Sequence, residues 1–278
     1  MKTWLIIGLC GLFGLGYLLW QNQFRVVPRV VFCDVGQGDA IYLRLSSPTD
    51  VLIDAGPNAK VTNCLNSELL FFDREIEILF LTHPDYDHYG GLDYILDSFQ
   101  IKTLYLPLAI KNHLPAKDEL WQKIWNKIQK QQITIRYLER GDELEIGNDR
   151  FLVLWPENNQ SVLGTTSTNV NFNNLALGLL ALVKDKQILL LADLDIAPAE
   201  SALEQLELNI DIFKVNHHGS KYGLSQKILE LANPSLAVIS VGKNNWYGHP
   251  HLQTIQLLQS LNIPIKRTDK HGKIVLPL

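Results

Sequence analysis

Four apolar runs in this chain stop abruptly on a side chain that can bind a metal, and this pattern limits the folds open to it more than any other feature. Val51, Leu52 and Ile53 lead into Asp54; Ile78, Leu79, Phe80 and Leu81 lead through Thr82 into His83. In the second half, residues 188–191 lead through Ala192 into Asp193, and residues 212–215 lead through Asn216 into His217 and His218. Carboxylates and imidazoles are costly to bury unless they are paired or bound to a cation. Their placement at the ends of hydrophobic strands predicts convergence on one sheet edge, with each half supplying one Asp end and one His end and a metal between the halves.

The densest group is His83, Pro84, Asp85, Tyr86, Asp87, His88, followed by Gly90 and Gly91. Four ligand-type side chains within six residues, read here as a loop, can point in different directions and serve two ions at once. The plain alternative, an acidic loop whose Asp caps the next helix, loses ground to the matching ends at Asp193 and His217.

The rest of the chain reads as alternating strands and helices. Strand-like runs fall at residues 29–32, 40–45, 51–53, 76–81, 103–106, 151–154, 175–183, 188–192, 210–215 and 236–241. Helical periodicity marks residues 91–99 and 118–131, with further helices at 198–206, 225–232 and 250–261. Residues 264–267 and 273–276 flank a turn-rich stretch and read as a closing hairpin, and the glycines of 35–39 read as a tight turn between the first two strands. Trp121 and Trp125 read as packing residues, and His113 and His271 as incidental.

Residues 4–20 are an uncharged apolar run after Lys2. At 1.5 Å per residue the run reaches about 25 Å, enough for a bilayer core. No small-residue cleavage site follows, so the reading is an uncleaved single-pass anchor over residues 1–23 and one domain over 24–278 in a bacterial-type cell membrane, with the domain extracytoplasmic. The 278-residue chain carries 46% hydrophobic and 19% charged residues, which supports a packed core. Its net charge of -4 excludes a bulk basic field, so any grip on a polyanion rests on local lysines or metal. The three cysteines show no zinc-site spacing. Cys33 and Cys64 are either two ordinary half-buried thiols, the plainer reading, or a disulfide if the domain faces an oxidising compartment.

The segment Thr82-His83-Pro84-Asp85-Tyr86-Asp87-His88-Tyr89-Gly90-Gly91 resembles the signature loop of the metallo-β-lactamase superfamily, in the variant found in the soluble hydrolase domain of competence proteins of the ComEC type. The resemblance runs from Val30 to Leu276 through Cys33 to Ala40, Asp54-Ala55-Gly56, Asn173-Asn174, Asp193, His217-His218-Gly219-Ser220, Ser240 to Asn244, Gly248-His249-Pro250 and Arg267-Thr268-Asp269. It implies an α/β fold, a four-layer αββα sandwich behind the anchor, without the many membrane helices of a full competence channel. It also implies two divalent ions, manganese, zinc or magnesium, held by His83, Asp85, Asp87, His88, Asp193 and His217.

Asp193 would bridge the ions, Asp54 would orient the ligand loop, and His218 stands as runner-up to His217. Asp85 replaces a commoner histidine, and Asn173 and Asn174 occupy the region where another histidine ligand is usual. Oxygen-rich ligation of this kind favours a harder ion over zinc.

The reaction implied is metal-dependent hydrolysis of a phosphodiester in DNA, with Asp87 and Asp193 as catalytic residues and Asp87 holding or deprotonating the attacking water. Asn174, His218, Lys221, Lys243 and His249 would lie second to the ligands or contact substrate. Lys221 and Lys243, the latter near Trp246 and Tyr247, offer phosphate contacts and a stacking surface. A DNA-uptake channel protein is the further partner. The competing readings are a metallo-hydrolase of a small ester, thioester or lactam, and a non-catalytic metal-binding module of a DNA-uptake assembly.

Overall fold

The computed structural model describes residues 27–114, 118–157 and 170–278, together with Gly11, Gly14 and Gly16. The expected anchor therefore falls, apart from those glycines, outside the described residues. Among the described residues no helix is long and apolar enough to cross a membrane.

Two seven-stranded mixed sheets form the centre. The strands of the first half are β1 (Arg29–Phe32), β2 (Ile41–Arg44), β3 (Asp50–Ile53), β4 (Glu75–Phe80), β5 (Gln100–Pro107), β6 (Thr134–Leu138) and β7 (Glu143–Ile146). Those of the second are β8 (Asp149–Trp155), β9 (Gly178–Val183), β10 (Lys186–Leu190), β11 (Ile212–Lys214), β12 (Ala237–Ile239), β13 (Ile265–Arg267) and β14 (Ile274–Pro277). One sheet runs in the order β14-β1-β2-β3-β4-β5-β6, the other β13-β12-β11-β10-β9-β8-β7. The strands β3 to β6 are mutually parallel, and so are β10 to β13.

Apolar side chains from the inner faces, among them Phe32, Ile53, Phe80, Phe151, Leu179 and Val238, fill the space between the sheets. The outer face of the first sheet is covered by helices Lys60–Glu68, Leu92–Ser98 and Glu119–Lys130. The outer face of the second is covered by Ile196–Leu203, Gln226–Ala232 and Leu252–Ser260. Strands buried on both faces read as continuous hydrophobic runs, which explains why β3, β4, β9 and β10 stood out.

The helix Glu119–Lys130 illustrates the local logic. The Asp118 side chain accepts from the Trp121 backbone N–H at 2.8 Å and caps the first turn. Trp121, Ile124 and Ile128, spaced three and four apart, form the buried stripe. Each contributes about 1.5–3 kcal/mol by leaving water. Trp121 packs edge-on against Tyr89, whose hydroxyl donates to Asp118, so this helix props the segment that carries Asp87 and His88.

Several expectations need correction. The closing hairpin does not form. β13 pairs in parallel with β12 in the second sheet, whereas β14 pairs antiparallel with β1 in the first. The one-turn helix Thr268–His271 carries the chain between sheets, and the buried Thr268 hydroxyl accepts from Val241 N–H while donating to Val241 C=O, fixing that crossover.

The His83–His88 segment is not all loop, because Tyr86–Tyr89 forms a short helix with Asp85 before it. Residues 34–39 are no tight turn either. Cys33 N–H donates to Ala40 C=O to close a longer loop, and Asp39 N–H donates to Asp87 C=O. Gly38, at φ +128°, lies so close to Asp87 that a Cβ would sit 2.1 Å from its carbonyl oxygen.

Strands β6 and β7 and the helix Lys60–Glu68 were not anticipated. Both strands are sheet edges carrying charge on half-exposed faces, a pattern that protects edges and hides the strand signal. The helix shows its core only through Val61, Cys64 and Leu65.

Cys33 and Cys64 form a disulfide with a Cα–Cα separation of 5.9 Å, joining the end of β1 to that helix. The plainer thiol reading is thus replaced. The bridge closes 31 residues of chain, and constraining the unfolded chain by such a loop stabilises by about 3–4 kcal/mol. Cys64→Ser should lower the thermal midpoint by roughly 6–15 °C, and reducing agent should do the same to the unsubstituted protein, both measured by calorimetry.

Candidate metal centre

The site lies at the C-terminal ends of the parallel strands of both sheets, where loops leave the layers together. Asp54 follows β3, His83 follows β4, Asp193 follows β10, and His217 and His218 follow β11. Asp54, Ala192, His217 and His218 all have positive φ, at 59°, 49°, 48° and 52°. Left-handed backbone at non-glycine residues is unfavourable and gathers at functional sites, where it turns side chains inward at a strand end.

A hydrogen-bonded framework fixes the imidazoles. Asp54 is buried; its Oδ1 accepts from Thr82 N–H at 2.8 Å, and its Oδ2 accepts from the Thr82 hydroxyl at 2.7 Å and from His88 Nδ1 at 2.8 Å. Because the Thr82 proton goes to Asp54, its oxygen accepts from His83 Nδ1 at 3.0 Å. His218 Nδ1 donates to Ser240 C=O at 3.0 Å. Each Nδ1 is thereby committed outward and each Nε2 faces the shared interior. The Nε2 atoms of His83, His88 and His218 are buried with no hydrogen-bond partner.

Around that interior, Asp193 Oδ2 lies 3.4 Å from His88 Nε2 and 3.3 Å from His218 Nε2, while Asp87 Oδ2 lies 3.4 Å from His218 Nε2. Asp85 Oδ2 is 3.8 Å from His83 Nε2. Potential ligand atoms of Asp39, His88, Asp193 and His218 all fall within 4.8 Å of one another. Imidazole nitrogens and carboxylate oxygens converging on one space, with the nitrogens otherwise unsatisfied, is a donor set that fits divalent cations.

Where the sequence favoured His217 as the inward imidazole, the geometry favours His218. His218 is buried, whereas His217 keeps 26% of its side chain exposed and its Nε2 is 3.9 Å from Asp193. The left-handed turn at both residues sends their rings apart, 78° between planes.

Asn174 is one loop removed from the cluster. Its side-chain oxygen accepts from Asp195 N–H at 3.3 Å and its carbonyl from Trp155 Nε1 at 2.8 Å, steadying the segment after Asp193. His249, half-buried, lines the rim with its ring 5.7 Å from that of His217. Lys221 is exposed, with its ammonium 5.0 Å from the Tyr222 ring centroid, and Lys243 is exposed on the neighbouring loop.

Two members of the site escaped the sequence reading. Lys214 is fully buried in β11 and ion-paired with Asp39; its Nζ also lies 3.2 Å from Ala192 C=O and 3.5 Å from Asp193 Oδ1. Burial opposes charge on Lys214, but Asp39 and Asp193 outweigh it and raise its pKa. The available signal was a lysine inside the apolar run Ile212-Phe213-Lys214-Val215, since a buried ammonium demands a carboxylate.

The remaining electrostatics follow from the same crowding. Burial works against the Asp193 carboxylate, yet His218, His88 and Lys214 hold it well below the usual range. Burial also opposes the Asp87 carboxylate, and the close imidazole of His218, with His88, holds it low. Burial depresses His83, and the neighbouring His88 depresses it further.

The chain belongs to the metallo-β-lactamase superfamily, whose family model matches residues 33–169. Among curated proteins it is similar to ComE operon protein 3 of Bacillus subtilis, 30% identical over 264 residues, and to Recombination protein 2 of Haemophilus influenzae, 26% identical over 269 residues. These alignments cover 88% and 92% of this chain but 32% and 30% of those proteins, so the chain spans about a third of the length of the curated relatives it matches. Among solved structures it is similar to YhfI of Bacillus subtilis, with TM-score 0.59, 10% identity and coverage of 91% of this chain and all of that one. CmlA of Streptomyces venezuelae, a diiron β-hydroxylase, gives TM-score 0.61 at 16% identity over 91% of this chain and 54% of that chain. At these identities the structural likeness shows the fold alone.

Two outcomes are expected. Burial opposes protonation of His218, but Asp193 and Asp39 outweigh it and raise its pKa to about 10 from 6.5. In metal-stripped protein that raised pKa contributes stability that is complete below pH 6.5 and lost as the pH rises through about 10. The melting temperature of metal-stripped protein should therefore fall over that alkaline range, and loading with a divalent ion should remove the slope, because the ion replaces the proton. In equilibrium dialysis, His218→Ala should weaken metal retention at least about tenfold more than His217→Ala.

Proposed function

We propose that this protein is a metal-dependent phosphodiesterase acting on DNA. The carrying observation is that the buried Nε2 atoms of His83, His88 and His218 have no hydrogen-bond partner, with those of His88 and His218 lying 3.4 and 3.3 Å from the Asp193 carboxylate. His83 and Asp85 would hold one ion, Asp87, His88 and His218 the other, with Asp193 between them and His217 at the rim. Divalent ions there supply Lewis acidity and bring the pKa of water toward neutrality.

The chain's own residues do the rest. Asp54 keeps Nδ1 of His88 protonated and, through Thr82, that of His83, so both rings present Nε2. Asp87, held as a carboxylate and part-exposed at the mouth, accepts a proton from the attacking water or orients it. Lys214 ion-pairs with Asp39 and balances part of the charge of Asp193. The three carboxylates of Asp85, Asp87 and Asp193 supply the hard oxygen donors that manganese takes, and support it as the working metal.

DNA as substrate is supported by the similarity to a competence-operon protein and a recombination protein, and by Lys221 and Lys243 beside the rim. The Cys33–Cys64 disulfide supports an extracytoplasmic domain, since such bonds persist in oxidising compartments. With residues 1–23 as anchor, a DNA-uptake channel protein in the same membrane is the partner this reading favours.

The test strips the 278-residue chain of metal in detergent micelles and assays cleavage of single- and double-stranded DNA after adding manganese, magnesium or zinc. Restored cleavage, with manganese best, and a loss of at least about a thousandfold in Asp193→Ala are expected. Cleavage that survives in Asp193→Ala, or a folded, metal-loaded protein that leaves DNA intact, would overturn the reading.

A further inference from the structure

The rim beside His249 carries a feature that metal chemistry does not use. Trp246 is fully exposed, at 101% of its reference area, and Tyr247 is 66% exposed. Large aromatic surface left in water at a loop tip contributes nothing to folding. Yet this loop is not slack. The Asn245 side chain donates to Gly242 C=O at 3.0 Å and to His249 C=O at 2.6 Å, and accepts from His249 N–H at 2.9 Å, clamping both ends. The base of the clamp is pressed against the site loop, since a Cβ on Gly242 would lie 2.5 Å from Gln37 N. The two aromatic rings therefore stand on a fixed support.

A line of rings joins that tip to the metal centre. His218 is followed by His217 at 6.3 Å, His217 by His249 at 5.7 Å, and His249 by Tyr247 at 5.7 Å, the last pair stacked at 24°. The Lys221 backbone N–H donates to His251 Nδ1 at 3.2 Å and the His251 ring lies 4.9 Å from that of His249, so Lys221 and the exposed Tyr222 border the same rim, and Lys243 lies three residues before Trp246. A strand whose scissile phosphate rests on the centre would carry its neighbouring bases across these rings while its phosphates meet the lysines. Every nucleobase has a flat face that stacks on an aromatic side chain, but in a duplex those faces are already covered.

We propose that Trp246 and Tyr247 form a nucleobase-stacking subsite for single-stranded nucleic acid. This rests on the phosphodiesterase reading for the position of the scissile phosphate. The subsite takes bases without regard to sequence, because it offers faces rather than a pattern of hydrogen bonds.

The experiment measures fluorescence-anisotropy affinities of the metal-loaded 278-residue chain in micelles for a cleavage-resistant phosphorothioate oligothymidylate and for the same backbone without bases. Trp246→Ala should weaken binding of the base-bearing strand about tenfold. Removing the bases should weaken the unsubstituted protein to a similar degree, Trp246→Ala should add little on the baseless strand, and Trp246→Phe should recover most of the loss. Equal affinity of the unsubstituted protein for both strands overturns the subsite, as does equal weakening of both by Trp246→Ala or no binding of the base-bearing strand. Hydrolysis of bis(p-nitrophenyl) phosphate, which has no base, separates the two ideas: turnover of that ester with base-independent strand binding removes the subsite and leaves the phosphodiesterase reading standing.

Discussion

The structure depends on how charge is accommodated where the two sheets meet. Asp39, Asp54, Asp193, Lys214, His83, His88 and His218 are all buried at one end of a hydrophobic sandwich. Isolated ions in such a place are prohibitively unfavourable, so each must be balanced by a neighbour or a bound cation. The balance draws on both halves of the chain. Lys214 comes from the second sheet and Asp39 from the first, and Asp193 in the second faces His88 in the first. Each half of the chain thus supplies partners for buried charges of the other.

The backbone is shaped to the same purpose. Left-handed residues at Asp54, Ala192, His217 and His218 bend the chain inward as it leaves three strands, β3, β10 and β11. Gly38 allows the loop after β1 to lie on Asp87, and Gly91 lets the next turn lie against Ala55, where a Cβ would come within 2.0 Å of a carbonyl oxygen. The disulfide from Cys33 holds the first of these loops from behind. The ligand segment is thus supported by backbone contacts, by the Asp54 framework and by the Tyr89–Trp121 packing below it, the kind of preorganisation a metal centre requires.

In the proposed function, catalysis and recognition are separated in space by this arrangement. Side chains on strand ends converge in the interior, where low dielectric strengthens their interactions. The exposed rim residues Tyr222, Trp246 and Tyr247 sit on loops outside the sheets. Loops that leave the same strand ends can vary without disturbing the core, which is how one fold comes to serve different substrates.

Much of this was legible in the sequence, because it lies in local pattern. Apolar runs that end in Asp54, His83, Asp193 and His217-His218 announced strands converging on a polar edge, and the His83 to His88 cluster announced its chemistry. Hydrophobic periodicity is a property of neighbours in the chain and survives without a structure. What the tertiary structure decided involves partners far apart in sequence. Which of His217 and His218 faces inward depends on backbone rotation at the end of β11 and on Ser240, 22 residues away from His218. That Lys214 belongs to the site depends on Asp39, and that the last two strands part company depends on the free edge of β1 and on Thr268 bonded to Val241. Linear sequence records the demand for a partner in a buried lysine or a paired cysteine; only the folded chain settles which residue meets it, because that choice is made by distance in space.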